Sequence, residues 1–254
     1  MKDRLRVLLE RHANGEISSE EAIGQIRLLS CRTLGDMAKL DTKRMDRIGI
    51  PEAILAEGKD KDDLAEIAMA HLEETGSVII TRISAEQLGV LNVIKLPEGC
   101  ILSHNPRART VVLRTAERMV GRGRVGILAA GTADIPAAEE AKVVASEMGC
   151  QVISEYDVGV AGIHRLFPCL EKMMDVDAMV VAAGREGTLP AVVAGIVDAP
   201  VIGLPVSVGY GVGGNGVAAL MSMLQSCSVL TVVNIDAGFT AGAFAAKIAM
   251  RKLI

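Results

Sequence analysis

The segment RVGILAAGTADIPAAEEA, residues 124–141, joins an apolar run to a helix-forming run through a turn that contains Gly131. The apolar run shows no polar alternation, which is typical of a strand buried on both faces of a parallel sheet. Pro136 stands where the first turn of a helix would begin, and proline is favoured at that position. Residues 124–141 therefore predict a strand, a turn and a helix.

The same pattern recurs toward the carboxyl end of the chain. Four more short runs rich in apolar residues are bounded by Gly or Pro, namely CQVISEYDVG, AMVVAAG, PVIGLPV and LTVVNID. Helical stretches begin near Pro136, Gly162, Thr188, Gly214 and Gly238. Strands that alternate with helices of about 10–15 residues predict a parallel sheet covered on both faces. We therefore predict an α/β domain with a five-stranded, doubly wound parallel sheet over residues 121–254.

Residues 1–120 carry a different pattern, which predicts a smaller α+β amino-terminal region. Ser18 and Glu21 form a capping-box pattern that predicts a helix start. The amphipathic run DDLAEIAMAHLEETG predicts a helix that ends at Gly76. The runs SVIITRIS, LNVIKL and RTVVLRT predict strands. The charged segment 40–60 is equally compatible with a solvated linker and with an ordered element.

The composition excludes several classes of function. The 254 residues carry a net charge of −4, only 2% are aromatic and none is Trp, so we expect no nucleic-acid surface. No apolar run reaches the roughly 18 residues of a membrane helix, and the first residues lack a signal-peptide core. Without C-x-x-C spacing, the cysteines indicate reduced thiols, with neither disulfides nor a metal site. They are Cys31, Cys100, Cys150, Cys169 and Cys227. We therefore expect a cytoplasmic protein without a membrane partner.

Ligands of open parallel sheets bind beyond the carboxyl ends of the strands, and polar residues follow several of the predicted strands. After the first and second strands, the candidates are Gly131, Thr132, Ala133, Asp134, His164 and Arg165. After the third and fourth strands, they are Glu186, Ser207, Gly209, Gly211, Gly213 and Gly214. Backbone N–H groups of a glycine-rich loop suit phosphate, while the carboxylates offer acid–base chemistry.

Each of these candidates also has a structural interpretation. Asp134 either caps the helix that follows it or faces a cationic or hydroxylated part of a ligand. His164 and Arg165 are equally compatible with a helix-surface pair and with binding of phosphate or carboxylate. The loop GYGVGGNG partly matches G-x-G-x-x-G, but it follows the fourth strand and lacks the downstream acid of a dinucleotide-binding fold. A hydride-transferring enzyme is therefore disfavoured.

Four motifs together resemble the LarB family: GILAAGTADIPAAEEA, DVGVAGIHRL, VVAAGREGTLPAVVAGIVDAPVIGLPVSVGYG and SCSVLTVVNIDAGFTAG. Members of that family are pyridinium-3,5-biscarboxylic acid mononucleotide synthases, which begin the synthesis of the nickel-pincer nucleotide cofactor used in lactate racemase maturation. The same region is similar to class I phosphoribosylaminoimidazole carboxylases, whose Ser-Asp turn and His-Arg motif correspond to Thr132–Asp134 and His164–Arg165. The resemblance implies a flavodoxin-like, carboxylase-like fold.

The resemblance also implies a reaction. The substrates would be nicotinic acid adenine dinucleotide and CO₂ or bicarbonate, and cleavage of the phosphoanhydride would release AMP. A thiolate that adds to carbon 6 of the pyridinium makes carbon 5 nucleophilic toward CO₂. By correspondence of motifs, the thiol is Cys227, and Glu186 and Asp134 are the acid–base carboxylates. No tightly bound cofactor is implied, with Mg²⁺ left open, and the octamers of the related carboxylases imply a homo-oligomer.

The position of Cys227 leaves a question open. It precedes the fifth predicted strand, which places it at the sheet edge opposite Asp134. Either the preceding helix ends early, or a neighbouring subunit completes the site. The other four cysteines have the pattern of buried small hydrophobes. The alternative functions are an aminoimidazole ribonucleotide carboxylase or mutase, which needs no thiol, and a non-catalytic nucleotide-binding protein.

Overall fold

The computed structural model describes residues 2–29, 32–35, 38–116, 121 and 123–251. A five-stranded parallel sheet with helices on both faces forms the larger domain, and a smaller α+β domain precedes it. The prediction made for Cys31 lies outside the described residues. None of the helices in the described ranges combines the length and the apolar character that a bilayer crossing requires.

The small domain contains five helices and six strands in its described part. It begins with α1 (Lys2–Ala13), α2 (Ser19–Leu29), β1 (Arg32–Leu34), β2 (Ala38–Leu40) and α3 (Arg44–Ile48). It continues with β3 (Ala53–Leu55), α4 (Lys61–Thr75), β4 (Ser77–Thr81), α5 (Ala85–Val93), β5 (Ile101–Asn105) and β6 (Thr110–Arg114). Strands β3 to β6 pair in the order β3-β4-β6-β5 and share a core with α4, around Leu64, Leu72 and Ile80.

Local signals account for the helix ends of this domain. Ser18 and Glu21 form the predicted capping box, and α4 ends at Gly76 as predicted. The prediction of a strand over residues 91–96 is wrong. A second capping box, between Ser84 and Gln87, starts α5, which continues through Val93, and the strand lies at β5 instead. The segment 40–60 contains α3 and β3, so it is an ordered element and not a linker.

The large domain has the predicted doubly wound architecture. Its strands are β7 (Arg124–Ala129), β8 (Gln151–Tyr156), β9 (Ala178–Ala183), β10 (Val201–Pro205) and β11 (Thr231–Val232). Its helices are α6 (Ile135–Glu147), α7 (Leu166–Glu171), α8 (Leu189–Ala194), α9 (Val217–Leu224) and α10 (Gly238–Arg251). The strands are all parallel, in the order β11-β10-β9-β7-β8. The chain winds outward from β7 to β8 and then crosses to β9, so β7 and β9 flank the switch point where such sheets bind ligands.

Small residues bring two helices of the large domain close together. Helices α6 and α10 cover one face of the sheet, over a core rich in alanine. A Cβ on Gly242 would lie only 2.3 Å from the carbonyl oxygen of Ala141, and one on Gly238 would lie 2.5 Å from that of Ala137. Helices α7, α8 and α9 cover the other face. The close packing fixes the start of α10 against α6.

The small domain docks on α6 through polar side chains. Asn105 Nδ2 donates to the Glu139 carboxylate at 2.6 Å, and Arg114 pairs with Glu147 at 2.9 Å. Both acceptors belong to α6, so the small domain lies beside the helix that follows the β7 turn. A cavity between the domains is lined by Ala133 and Ser207, at the carboxyl edge of the large sheet.

Candidate active site

Asp134 joins the turns that follow the two central strands. Its carboxylate is only 6% exposed and accepts backbone N–H groups from Gly131, at 2.8 Å, and Gly184, at 2.9 Å. Burial raises the pKa of Asp134, the two N–H donors oppose that rise, and the negative charge of Glu186 adds to it. The interpretation of Asp134 as the cap of α6 is wrong, since its side chain accepts no capping bond from that helix. Asp134 therefore fastens the β7 turn to the β9 turn.

Gly184 lies where three loops meet. A Cβ at this position would lie 2.4 Å from the carbonyl oxygen of Val208 and 3.0 Å from Asp134 Oδ1. Any other residue would push the β9 turn away from the loop that follows β10. The glycine thus holds the β7 turn, the β9 turn and the glycine-rich loop in contact.

Glu186 is exposed in the β9 turn, beside an arginine that sequence reasoning missed. Arg185 adopts a φ of 47°, and its Nη1 donates to the Tyr210 hydroxyl at 2.8 Å. The guanidinium also lies 4.6 Å from the centre of the Tyr210 ring, within the range of a cation–π contact. Because Tyr210 belongs to the glycine-rich loop, the pair holds this loop beside Glu186. The sequence signal for this contact is Tyr210, an aromatic residue that stands between Gly209 and Gly211.

The first part of the glycine-rich loop lies over the carboxyl edge of the sheet. Ser207 N–H donates to Asp236 Oδ1 at 2.9 Å, which ties the loop to the turn after β11. Gly209 is exposed, and a Cβ there would lie 3.7 Å from the backbone nitrogen of Arg185. The loop therefore approaches the β9 turn closely along its backbone.

The second part of this loop leads into α9. Gly211 is exposed with a φ of 80°, and its carbonyl accepts the Gly214 N–H at 3.1 Å. A Cβ on Gly213 would lie 2.4 Å from the Cβ of Ala218, so this glycine is needed for packing on α9. The predicted loop residues thus have different roles, and the N–H of Gly214 is already used within the loop.

His164 and Arg165 are exposed on the turn 160–165 after β8. Arg165 Nη1 donates to Asp157 Oδ2 at 2.5 Å, so its charge already has a partner. The chain after β8 also touches the end of β7, since a Cβ on Gly159 would lie 2.8 Å from the carbonyl oxygen of Ala130. The structure therefore brings His164 and Arg165 to the same edge of the sheet as the β7 turn.

A cavity of about 280 Å³ opens between the domains beside the β7 turn. Ala133 and Ser207 line it from the large domain, and Thr132 is exposed on the same turn as Ala133. The small domain contributes Arg82 and Arg109, which sequence reasoning missed. Single arginines at strand ends form no sequence motif, so only the docking of the two domains reveals them.

Glu140 is a buried carboxylate in the wall of this cavity. It lies on α6, is 7% exposed, and accepts backbone N–H groups from Phe239 and Gly238 at the start of α10. Burial raises the pKa of Glu140 to about 7, with the charge of Arg82 lowering it and that of Asp236 raising it. Glu140 therefore changes its charge near neutral pH.

All the non-glycine residues with left-handed backbone in the described ranges lie around this edge. Such a backbone costs about 1–3 kcal/mol per residue and tends to concentrate at functional sites. Two of them belong to the small domain, and four lie in loops after strands of the large sheet. They are Arg82, Arg109, Asp157, Arg185, Asn215 and Asp236. This concentration supports the carboxyl edge as the functional site.

Cys227 lies at the opposite end of the sheet. It is exposed in the loop between α9 and β11. Strand β11 runs parallel to β10, with Thr231 beside Ile202, so the loop that precedes it lies at the amino end of the sheet. Within one chain, the structure therefore does not bring Cys227 together with Asp134 and Glu186.

The other described cysteines differ in burial. Cys150 is buried as predicted, whereas Cys100 and Cys169 are only half-buried. Cys169 Sγ donates to the carbonyl oxygen of Arg165 at 3.3 Å. Burial raises the pKa of Cys169, and the charge of Glu155 adds to that rise. Cys169 is therefore a poor source of thiolate.

Comparison with known proteins agrees with this architecture. Residues 31–116 match the family model described as a LarB/PurE-like N-terminal domain, and residues 124–253 match that of AIR carboxylase. An uncharacterized protein of Methanocaldococcus jannaschii is 42% identical over 98% of this chain and 98% of the relative. The N5-carboxyaminoimidazole ribonucleotide mutase of Thermotoga maritima is 29% identical over 49% of this chain and 74% of the relative.

The fold, the edge residues and these matches define a carboxylase-type α/β enzyme. The chain belongs to the LarB family, in which a LarB/PurE-like domain precedes a domain of the AIR carboxylase type.

Proposed function

We propose that the protein carboxylates nicotinic acid adenine dinucleotide at carbon 5 of the pyridinium ring and then cleaves its phosphoanhydride. The products would be pyridinium-3,5-biscarboxylic acid mononucleotide and AMP, at the start of nickel-pincer nucleotide cofactor synthesis. The AIR carboxylase domain supports the carboxylation, and the LarB/PurE-like domain supports this choice of substrate. The observation that carries the proposal is the combination of a carboxylate-bearing sheet edge with an exposed thiol, Cys227.

The thiol is needed because the pyridinium ring is electron-poor and cannot attack CO₂ directly. Addition of the Cys227 thiolate to carbon 6 forms a C–S bond and places an electron pair at carbon 5. Carbon 5 then forms a C–C bond to CO₂, a carboxylate accepts the carbon 5 proton, and the C–S bond breaks as the ring regains aromaticity. Water then attacks the phosphoanhydride and AMP leaves. These steps balance with CO₂ and water as the only co-reactants.

The two carboxylates have different surroundings, which suggests different roles. Glu186 is exposed at the turn after β9, so it can reach a bound ligand, and we assign it the acceptance of the carbon 5 proton. Asp134 is buried and already accepts two backbone N–H groups. It therefore acts as a positioning residue that holds the turns around the reacting ring. Glu186→Gln should bind the dinucleotide and lose carboxylation, because an amide cannot accept the proton.

The proposed reaction requires a second copy of the chain, since Cys227 and Glu186 lie at opposite ends of one sheet. The surface around Cys227 suits an interface between copies, because it exposes apolar side chains with the spacing of one helical face. These side chains are Val217, Met221, Leu224 and, just after Cys227, Val229. Burial of this surface against a neighbouring subunit would place Cys227 at an interface of a homo-oligomer, and the proposed reaction requires Glu186 of that subunit across it.

The test is incubation of the purified protein with the dinucleotide and bicarbonate, followed by mass spectrometry. Wild-type protein should form the biscarboxylate mononucleotide and AMP, with a transient mass increase that matches a covalent adduct. Cys227→Ser should bind substrate, show no adduct and lose about three or more orders of magnitude in carboxylation. Cys169→Ser is the matched control and should keep wild-type turnover. Near-native carboxylation by Cys227→Ser would contradict covalent catalysis.

The similarity to the Thermotoga maritima mutase favours a second candidate, a carboxylation or carboxyl shift on an aminoimidazole ribonucleotide. That chemistry needs no thiol. The same assay with the aminoimidazole ribonucleotide as substrate separates the two functions. Product formation at equal rates by wild-type protein and Cys227→Ser would establish the second candidate in place of the first.

A further inference from the structure

Arg109 is a cation held in a fixed position at the interdomain cavity. It lies in the hairpin between β5 and β6, with a φ of 51°. Its Nε donates to the carbonyl oxygen of Ile83 at 3.2 Å, and its Nη2 donates to that of Arg82 at 3.2 Å. Among the described residues, no carboxylate lies within ion-pair distance of it. The guanidinium is therefore oriented by neutral acceptors and keeps its full charge for a ligand.

Arg82 is the second cation of this cavity. Its Nη2 donates to the carbonyl oxygen of Asp236 at 3.0 Å, across the domain boundary, and its Nη1 pairs with Glu57 at 3.2 Å. Arg82 also lines a neighbouring cavity of about 290 Å³. It thus lies between two neighbouring cavities of the domain junction.

The acidic side chains that line the cavity already have partners. Glu57 pairs with Arg82, Asp236 accepts the Ser207 N–H, and Glu140 accepts N–H groups at the start of α10. Among the described residues that line the cavity, Arg109 is the cation without a carboxylate partner, whereas Asp236 keeps its negative charge because a neutral N–H does not cancel it. The Arg109 guanidinium is therefore available to an anion, and arginine suits the oxygens of phosphate.

The remaining lining and the size of the cavity restrict the ligand further. Its apolar walls come from Ala108, Val206 and Val208, which suit the face of a heteroaromatic base. Ligand pockets hold about 300–1,000 Å³. A cavity of about 280 Å³ is at the lower end of this range, too small for a whole dinucleotide and close to one of its halves. The cavity shares Ser207 and Val208 with the glycine-rich loop, so it adjoins the edge that carries Glu186.

We infer that this cavity binds the second nucleotide of the substrate, the adenylate half, with Arg109 and Arg82 on its phosphate. The inference rests on the proposed function, in which the pyridinium half reacts at the sheet edge. The small domain then confers selectivity for a dinucleotide over a mononucleotide. The carboxylase domain alone provides the reacting edge and lacks both arginines.

Calorimetric titration of the full chain tests this inference with three probes: AMP, nicotinic acid adenine dinucleotide and nicotinic acid mononucleotide. Arg109→Met and Arg82→Met should each weaken binding of AMP and of the dinucleotide by about tenfold or more. Binding of nicotinic acid mononucleotide should stay within about twofold of wild type. The matched control is Arg107→Met, which removes the same charge from the same hairpin but does not line the cavity.

The outcomes separate this inference from the proposed function. If Arg109→Met and Arg82→Met bind AMP and the dinucleotide as tightly as wild type, the inference is overturned, while carboxylation of the dinucleotide can still be observed. If AMP binds through Arg109 but the protein carboxylates only an aminoimidazole ribonucleotide, the cavity assignment stands and the proposed function fails. Thermal melting checks that each variant folds. If Arg109→Met does not melt cooperatively, Arg82→Met and Arg109→Lys test the inference in its place. The affinity of Arg109→Lys for AMP should then lie between that of wild type and that of Arg82→Met.

Discussion

Replacing Glu140 by glutamine should change how the stability of the protein depends on pH. Burial raises the pKa of Glu140 to about 7 from its ordinary value of 4.5. Between these values the folded protein keeps a proton that the unfolded chain releases, so the wild type loses stability as the pH rises through this window. The shift corresponds to about 3 kcal/mol at most, at about 1.4 kcal/mol per pKa unit. Glutamine keeps an oxygen that can accept the N–H groups of Gly238 and Phe239.

The assay is urea denaturation of wild type and Glu140→Gln at a series of pH values from about 5 to about 8. The stability of the variant relative to wild type should increase by about 2–3 kcal/mol across this range, since only the wild type must bury a charge at high pH. A difference that stays constant across the window would refute the argument that burial holds the proton on Glu140.

The neighbouring Glu139 is the matched control, because its pKa is lowered where that of Glu140 is raised. Burial alone would raise the pKa of Glu139, but hydrogen bonds from Tyr156 and Asn105 and the charge of Lys142 lower it overall. Its ionised form therefore stabilises the fold above pH 4.5, and that contribution is lost as the pH falls through the lowered value. Glu139→Gln should be less stable than wild type at neutral pH, and the deficit should shrink on acidification.

Two further variants test the contacts at the sheet edge. Gly184→Ala would place a Cβ 2.4 Å from the carbonyl oxygen of Val208, so we expect a loss of about 1–3 kcal/mol in urea denaturation and weaker dinucleotide binding; unchanged stability would show that the loops do not meet there. Tyr210→Ala removes both contacts with Arg185 and should weaken dinucleotide binding about threefold to tenfold by calorimetry, with global stability within about 1 kcal/mol of wild type. If Tyr210→Ala binds the dinucleotide as tightly as wild type, the glycine-rich loop does not belong to the binding site.

The architecture of the large domain could be predicted from the sequence because its strands are buried on both faces. The apolar runs around Val125, Val180 and Ile202 carry no polar alternation, and glycine or proline marks their ends. The elements of the small domain are harder to predict, since they are short and are marked by helix caps as much as by hydrophobic periodicity. The run Leu91–Leu96 predicts a strand, yet the capping box that begins seven residues earlier, at Ser84, starts a helix that includes Leu91.

The candidate site could be predicted only where a residue follows a strand directly. Asp134 and Glu186 were placed by that rule, but the bond from Gly184 to Asp134 joins residues 50 positions apart, which no local pattern shows. Arg82 and Arg109 were missed for the same reason, because their position depends on how the two domains dock. The sequence does predict the separation of Cys227 from the sheet edge, since it follows from strand direction alone.

The most direct test of the proposed site mixes two inactive variants, Cys227→Ser and Glu186→Gln, in one assembly. If Cys227 of one copy acts with Glu186 of another, random assembly should pair two wild-type residues at about one site in four. Co-expressed variants, with mixing verified by native mass spectrometry, should then recover about a quarter of wild-type carboxylation of nicotinic acid adenine dinucleotide. A double variant carrying both substitutions in the same chain should stay inactive. Mixed assemblies no more active than either parent would contradict a site shared between copies.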